Sequence, residues 1–317
     1  MKPFFTFLVI IIVFATLLSC DSTPQMEGDQ YALFYGVAEY DIITELMFTD
    51  DDAEAMGTLF EDRGYNVTVR TNSGATLENL QSDIEALAEK IDGDDTFLFY
   101  FSGHGGRHYD FYGSFAEPSE TEPPSGDSDN EWILLSGSLQ SEDYDSWAET
   151  AVNEEKLAKL ISKLNTNKKI IIIDACNSGG FINNTTDIDG IPPNYLKSIN
   201  ENEERIFSKA VTIYFNNSLR DDYADLSYED AIVIAASGEQ EYSVELYSIE
   251  QGLFTYYFLR SSDRADINGD GYITATESYA YTAASLDVNW NSYISSDYHY
   301  HPHITGGPVD LVLFPVK

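Results

Sequence analysis

Two kinds of apolar pattern alternate along the chain. Short unbroken runs at 31–37, 66–70, 96–101, 168–173 and 230–237 are rich in β-branched and aromatic residues and predict strands. The densest, Ile170-Ile171-Ile172-Ile173, suits a strand buried on both faces of a parallel sheet. Between the runs, apolar residues recur at helical spacing. Over 50–63 they are Ala53, Met56, Leu59 and Phe60, with Gly64 placed to end the helix. Over 76–91 they are Leu80, Ile84, Leu87 and Ile91, with Gly93 beyond. Asn153 caps a helix expected to run to Leu164, and 252–260 and 276–286 read as two more. A last strand is expected over 309–316. This alternation predicts an α/β fold: a mostly parallel sheet of six strands with about five helices on its two faces.

Two stretches break the rhythm. Residues 107–150 are rich in Asp, Glu, Ser, Gly and Pro and read as an acidic surface insertion, in which 131–135 is apolar enough for a small strand. Residues 181–225 form a polar excursion carrying Lys197, Arg205, Lys209 and Arg220. The N-terminus is also set apart. After Lys2, the apolar run 4–18 is short for a membrane span and ends in Leu17-Leu18-Ser19-Cys20. That ending resembles a bacterial lipobox, with Cys20 as the lipidated residue. An ordinary signal peptide or an N-terminal anchor helix are the alternatives. The lipobox divides the chain into a signal peptide at 1–20, a polar tether at 21–30 and one domain at 31–317. It implies export to the bacterial cell envelope, with a lipid as the sole membrane anchor.

Charge narrows the partners. With 17 Lys+Arg against 54 Asp+Glu, the net charge is −37, which repels nucleic acid and anionic membrane surfaces and attracts basic peptides and divalent cations. The chain has two cysteines, Cys20 and Cys176. If Cys20 carries lipid, Cys176 has no disulfide partner, and its place in a Gly/Ser-rich turn past a strand favours a reactive thiol.

The same design occurs twice. The strand at 96–101 leads directly into Ser102-Gly103-His104-Gly105, and the isoleucine strand leads into Asp174-Ala175-Cys176-Asn177-Ser178-Gly179. Chemistry in open α/β sheets gathers outside the carboxyl ends of strands. A His and a Cys delivered there can act as base and nucleophile. On strands, in this order and about seventy residues apart, the two motifs resemble those of the caspase-like cysteine peptidases, closest to the bacterial metacaspase-like branch. The resemblance covers nearly all of the chain after residue 30. It implies a three-layer sandwich, a His104–Cys176 dyad with no clear third member, and an oxyanion held by the backbone N–H groups of Gly105 and Cys176. Metacaspase-like enzymes accept Arg or Lys in an acid-lined pocket, so protein or peptide substrates with basic residues are implied. Carried over by position, the pocket takes Ser102, Asp174 and Asp52. Asp52 follows from Asp51-Asp52-Ala53, which resembles the family's Asn-Asp-Ala with Asp where the family has Asn. Acids at 50–52 also suit a helix N-terminus, and Asp174 has the ordering of the catalytic loop as an alternative role. Two other readings compete: an inactive calcium-dependent binding module, and a legumain-like peptidase that cuts after Asn.

A third constellation is independent of these. Residues 266–277 fit the twelve-residue EF-hand loop, with side-chain oxygens from Asp266, Asn268 and Asp270, the carbonyl of Tyr272, Ile273 as apolar plug and Glu277 as the bidentate ligand. Ca2+ is the cofactor this pattern implies. His299, His301 and His303 alternate, but Pro302 lies among them and no cysteine is near; a solvated loop or cleft wall is expected there rather than a metal site.

Overall fold

The computed structural model describes residues 26, 28–41, 43–107, 131–138, 150–176, 231–238, 241–299, 301–305 and 311–317. Cys20, most of the acidic insertion and the whole of the 181–225 excursion lie outside them. No described helix is long and apolar enough to cross a membrane.

Strand β1 (Gln30–Gly36) leads into helix α1 (Thr49–Asp62), which Gly64 ends in a left-handed conformation at φ 95°. Strand β2 (Asn66–Thr71), helix α2 (Leu77–Ala88) and strand β3 (Thr96–Ser102) follow. The Thr76 side chain caps α2 by accepting from the Asn79 amide. A small antiparallel sheet of β4 (Gly105–Arg107), β5 (Glu131–Ile133) and β6 (Val152–Asn153) comes next. Helix α3 (Glu154–Ile161) is capped by Asn153 as the sequence predicts. Strands β7 (Lys168–Asp174), β8 (Ala231–Ala235), β9 (Glu245–Leu246) and β10 (Gln251–Gly252) lead to helix α4 (Leu253–Ser261). Strand β11 (Tyr272–Thr274), helix α5 (Ala275–Leu286), β12 (His303–Thr305) and β13 (Val312–Pro315) complete the described chain.

The central sheet has six strands in the order β12-β8-β7-β3-β1-β2, parallel except for β12. Alternation along the strands feeds two cores. Phe34, Tyr100, Ile170 and Ile172 face Met56 and Phe60 of α1 and Phe254 and Phe258 of α4. Leu33, Phe99, Ile171 and Ile173 face Leu80 and Ile84 of α2 and Leu157 and Ile161 of α3. Each such fully buried aliphatic or aromatic side chain contributes roughly 1.5–3 kcal/mol. The isoleucine run thus divides its residues between both layers, which is why no polar residue interrupts it.

The sixth strand corrects the sequence reading. The apolar run expected at 309–316 forms β13, but β13 pairs antiparallel with β11 in a separate two-stranded sheet. Its place in the central sheet is taken by β12, with His303 opposite Ala235 and Ile304 opposite Ile234. An edge strand of three residues following Pro302 carries no apolar run, so its pattern could not announce it.

Candidate active site

β3 and β7 are in register, with Ser102 opposite Asp174. His104 and Cys176 each stand two residues further on, so the pairing delivers both to one end of the sheet. The two turns are in contact. A Cβ on Gly105 would lie 2.4 Å from the Cys176 carbonyl oxygen and 2.9 Å from the Ala175 Cβ, so that position admits only glycine. Asp52, Ser102, His104, Asp174 and Cys176 line one cleft, with Leu46, Ser243, Glu245 and Gly252 among the other residues of its wall.

His104 Nε2 lies 2.7 Å from the Thr44 carbonyl oxygen. A carbonyl only accepts, so Nε2 carries the proton and Nδ1 of the neutral ring keeps its lone pair. The group facing Nε2 is a backbone carbonyl, which no sequence motif marks. Burial lowers the His104 pKa, and the Thr44 carbonyl works against that. The Cys176 Sγ is 3.9 Å from the Ser243 carbonyl oxygen. Burial pushes its thiol up to about 11, and the charges of Asp174 and Glu245 add to the rise. Burial thus disfavours the charged form of both the imidazole and the thiol.

The Gly105 amide has a defined direction. Gly105 stands opposite Ile133, while the Leu134 amide donates to the His104 carbonyl at 3.0 Å. Bonded residues alternate along an antiparallel ladder, so the Gly105 N–H turns away from β5.

At the cleft base, Asp52 and Asp174 are 0% and 3% exposed. Asp52 accepts from the Gly252 amide on both oxygens, at 3.1 and 3.2 Å, and from Ser102 Oγ at 3.2 Å. Asp174 accepts from Ser243 Oγ at 2.5 Å and from Thr255 Oγ1 at 2.6 Å. These donors are neutral amides and hydroxyls. Burial, followed by the charge of Asp174, raises the Asp52 pKa well above the carboxylate range. Burial also raises that of Asp174, against the pull of Ser243 and Thr255. The two acids meet at Gly252, where a Cβ would lie 2.7 Å from Asp52 Oδ2 and 3.0 Å from Asp174 Oδ2. Within the acidic run, Asp50 instead binds Asn72 Nδ2 at 2.8 Å and Asp51 is exposed. Only Asp52 enters the cleft.

Glu245 is an acid that the sequence reading did not single out. Its carboxylate accepts from the amides of Phe48 at 2.8 Å and Met47 at 3.1 Å, and burial raises its pKa. One acid in a polar stretch has no signature until the fold sets it beside Asp174.

The 266–277 loop lies elsewhere, between α4 and α5. Asp266 Oδ1 accepts from the amides of Gly269 and Asp270, and Asp270 Oδ1 from that of Tyr272. Glu277 is buried and forms a capping box with Thr274, with its other oxygen on the amides of Ile267 and Asn268. Ile273 is fully buried. The donors are all oxygen, which suits a hard cation. Among the described residues, no cluster of three His, Cys, Asp or Glu is arranged to hold a metal. Of the histidines, His299 Nε2 meets the Ile294 carbonyl at 3.2 Å and His301 Nδ1 meets Glu241 at 2.8 Å, while His303 sits in β12 rather than in a loop.

Three comparisons bear on this geometry. The profile of the caspase domain family matches residues 29–270. A crystal structure of a Geobacter sulfurreducens protein is similar at 17% identity and a TM-score of 0.52, covering 92% of this chain and 100% of that one. Caspase-1 from Spodoptera frugiperda is similar at 13% identity and a TM-score of 0.53, covering 92% of this chain and 94% of its own. No curated protein matches the sequence.

Proposed function

The chain belongs to the caspase domain family, a family of cysteine peptidases acting on protein substrates, and on that premise we propose a metacaspase-like endopeptidase that cuts after Arg or Lys. The observation that carries the specificity is the pair Asp52 and Asp174, buried, supplied with neutral donors only, and meeting at the bare backbone of Gly252. A buried charge without a counterion is unfavourable. A cationic side chain entering the cleft relieves it, and that differential favours Arg or Lys over Asn. It also offsets the field of Asp174 and Glu245 at Cys176, which favours the thiolate.

In the proposed reaction His104 Nδ1 takes the thiol proton as Sγ attacks the scissile carbonyl carbon. The N–H groups of Gly105 and Cys176 hold the oxyanion. The imidazolium returns the proton to the leaving amine, and water then hydrolyses the acyl-enzyme with His104 as base. A peptide panel differing only before the scissile bond tests the reading: Arg and Lys should be cut, and Asn, Asp and citrulline left. Cleavage after Asn would favour the legumain-like alternative, and no cleavage at all the binding module.

We assign Ca2+ to the 266–277 loop on the strength of its oxygen donors. Asp266, Asn268, Asp270, the Tyr272 carbonyl and Glu277 would hold it, and the ion would stabilise the turn into α5. Cys20 is assigned to lipidation, so Cys20→Ala should move the protein from the membrane to the soluble fraction.

A further inference from the structure

β4 and β5 pair antiparallel, and at His104–Leu134 one of the two expected rungs is present: the Leu134 amide donates to the His104 carbonyl at 3.0 Å. The other is interrupted. The His104 amide donates to the Tyr40 hydroxyl at 2.9 Å, and that hydroxyl donates to the Leu134 carbonyl at 2.9 Å. A side-chain oxygen thus replaces one direct rung of a ladder at the residue that supplies the base. The Tyr40 ring stands 4.7 Å from the imidazole, tilted by 58°. The fit is close on the neighbouring residue too, since a Cβ on Gly103 would lie 2.7 Å from the Tyr40 hydroxyl.

The segment that presents Tyr40 is held at several points. Asn72, itself at φ 45°, accepts from the amides of Ala38 and Glu39 at 2.9 and 3.1 Å. The Leu46 amide closes onto the Ala38 carbonyl at 2.9 Å, and Glu245 takes the Phe48 amide at 2.8 Å. The same segment supplies the Thr44 carbonyl that faces His104 Nε2. One braced loop therefore contacts the backbone, the ring face and the distal nitrogen of the base.

We propose that Tyr40 is the positioning residue of His104: its hydroxyl, inserted into the β4–β5 ladder, sets the distance and orientation of the imidazole relative to Cys176. This rests on the peptidase reading above. The hydroxyl is engaged on both sides by backbone groups, one of them the His104 amide, so its effect passes through the histidine. Without it, the His104 amide and the Leu134 carbonyl close on each other directly, and the histidine turn moves toward β5.

The test compares Tyr40→Phe, which keeps the ring and removes the hydroxyl, with wild type and His104→Ala. Three quantities are read: kcat and KM on an Arg peptide, the pH dependence of Cys176 alkylation by iodoacetamide, and Tm. For Tyr40→Phe, kcat should fall about tenfold or more with KM within twofold, and the imidazole-dependent limb of alkylation should shift toward the His104→Ala profile. A wild-type kcat and alkylation profile overturns the proposal, whether or not Tm has dropped, because packing alone moves only Tm. If His104→Ala alkylates like wild type, the dyad itself fails; if His104→Ala is impaired and Tyr40→Phe is silent, only the role of Tyr40 fails.

Discussion

The cleft base and the 266–277 loop are both acid-rich, yet they hold their charges in opposite ways. In the loop, Asp266 and Asp270 accept from amides within five residues of themselves. In the cleft, Asp52 and Asp174 accept from Ser102, Gly252, Ser243 and Thr255, between 50 and 200 positions away along the chain. The loop resembles a calcium site because its spacing is local. The cleft becomes an acidic pocket only when β3, β7, α1 and α4 are packed together. A loop of this kind is prepared by its own turn, whereas the cleft pair is assembled by the whole domain, and burial raises the pKa of both its acids.

The largest expected effect separates chemistry from charge. Cys176→Ala should reduce kcat by about 1,000-fold or more while leaving Tm within a few degrees. Substantial residual cleavage would remove the cleft from the comparison altogether.

Next is Asp52→Asn, for which kcat/KM on Arg peptides should fall roughly 100-fold. Stability should change in the other direction. The pKa of Asp52 is raised in the fold, so the folded state retains protons that the unfolded chain has released once pH exceeds the ordinary carboxylate value of 3.8. Stability is then fullest in acid and declines as pH rises through the folded value. Asp52→Asn should flatten that decline in a series of Tm against pH, and arginine amide should raise the wild-type Tm more at pH 8 than at pH 5. A wild-type Tm that is independent of both would mean that the pair carries no stored repulsion.

The loop should respond to Ca2+ instead. At one hundred times the dissociation constant, the ion stabilises by about 2.7 kcal/mol, a shift of a few degrees in Tm for a domain of this size. Glu277 also caps α5, so Glu277→Ala should lower stability even in chelator, by about 1 kcal/mol. Glu277→Gln can keep the cap and should lose mainly the calcium response. Equal melting curves in calcium and chelator would reduce the loop to a turn.

Glu241 lies between the two cases, as a buried acid that does have a histidine partner. His301 Nδ1 is 2.8 Å away, and although burial opposes it, the His301 bond helps to lower the Glu241 pKa. Its contribution is present above the ordinary glutamate value of 4.5 and is lost as pH falls through the folded value. His301→Ala should cost about 1 kcal/mol near neutral pH and less in acid. An equal loss at pH 4 and pH 7 would show that the histidine only packs.

By itself, the sequence determined whatever depends on neighbours along the chain. Unbroken apolar runs specified the buried parallel strands, helical spacing specified the faces of α1 and α2, and Asn153 announced its helix because a cap bonds three residues ahead. The motifs placed His104 and Cys176 past their strands for the same reason. Tertiary structure decided what depends on distant groups meeting. It gave the central-sheet edge to β12 and paired β13 with β11, since an edge strand needs hydrogen-bonding partners more than an apolar run. It brought in Glu245, and it recruited the Thr44 carbonyl and the Tyr40 hydroxyl to His104. A backbone carbonyl is common to every residue and a single Tyr or Glu has no period, so only the packing of the loop at 38–48 against the sheet could give these groups a role.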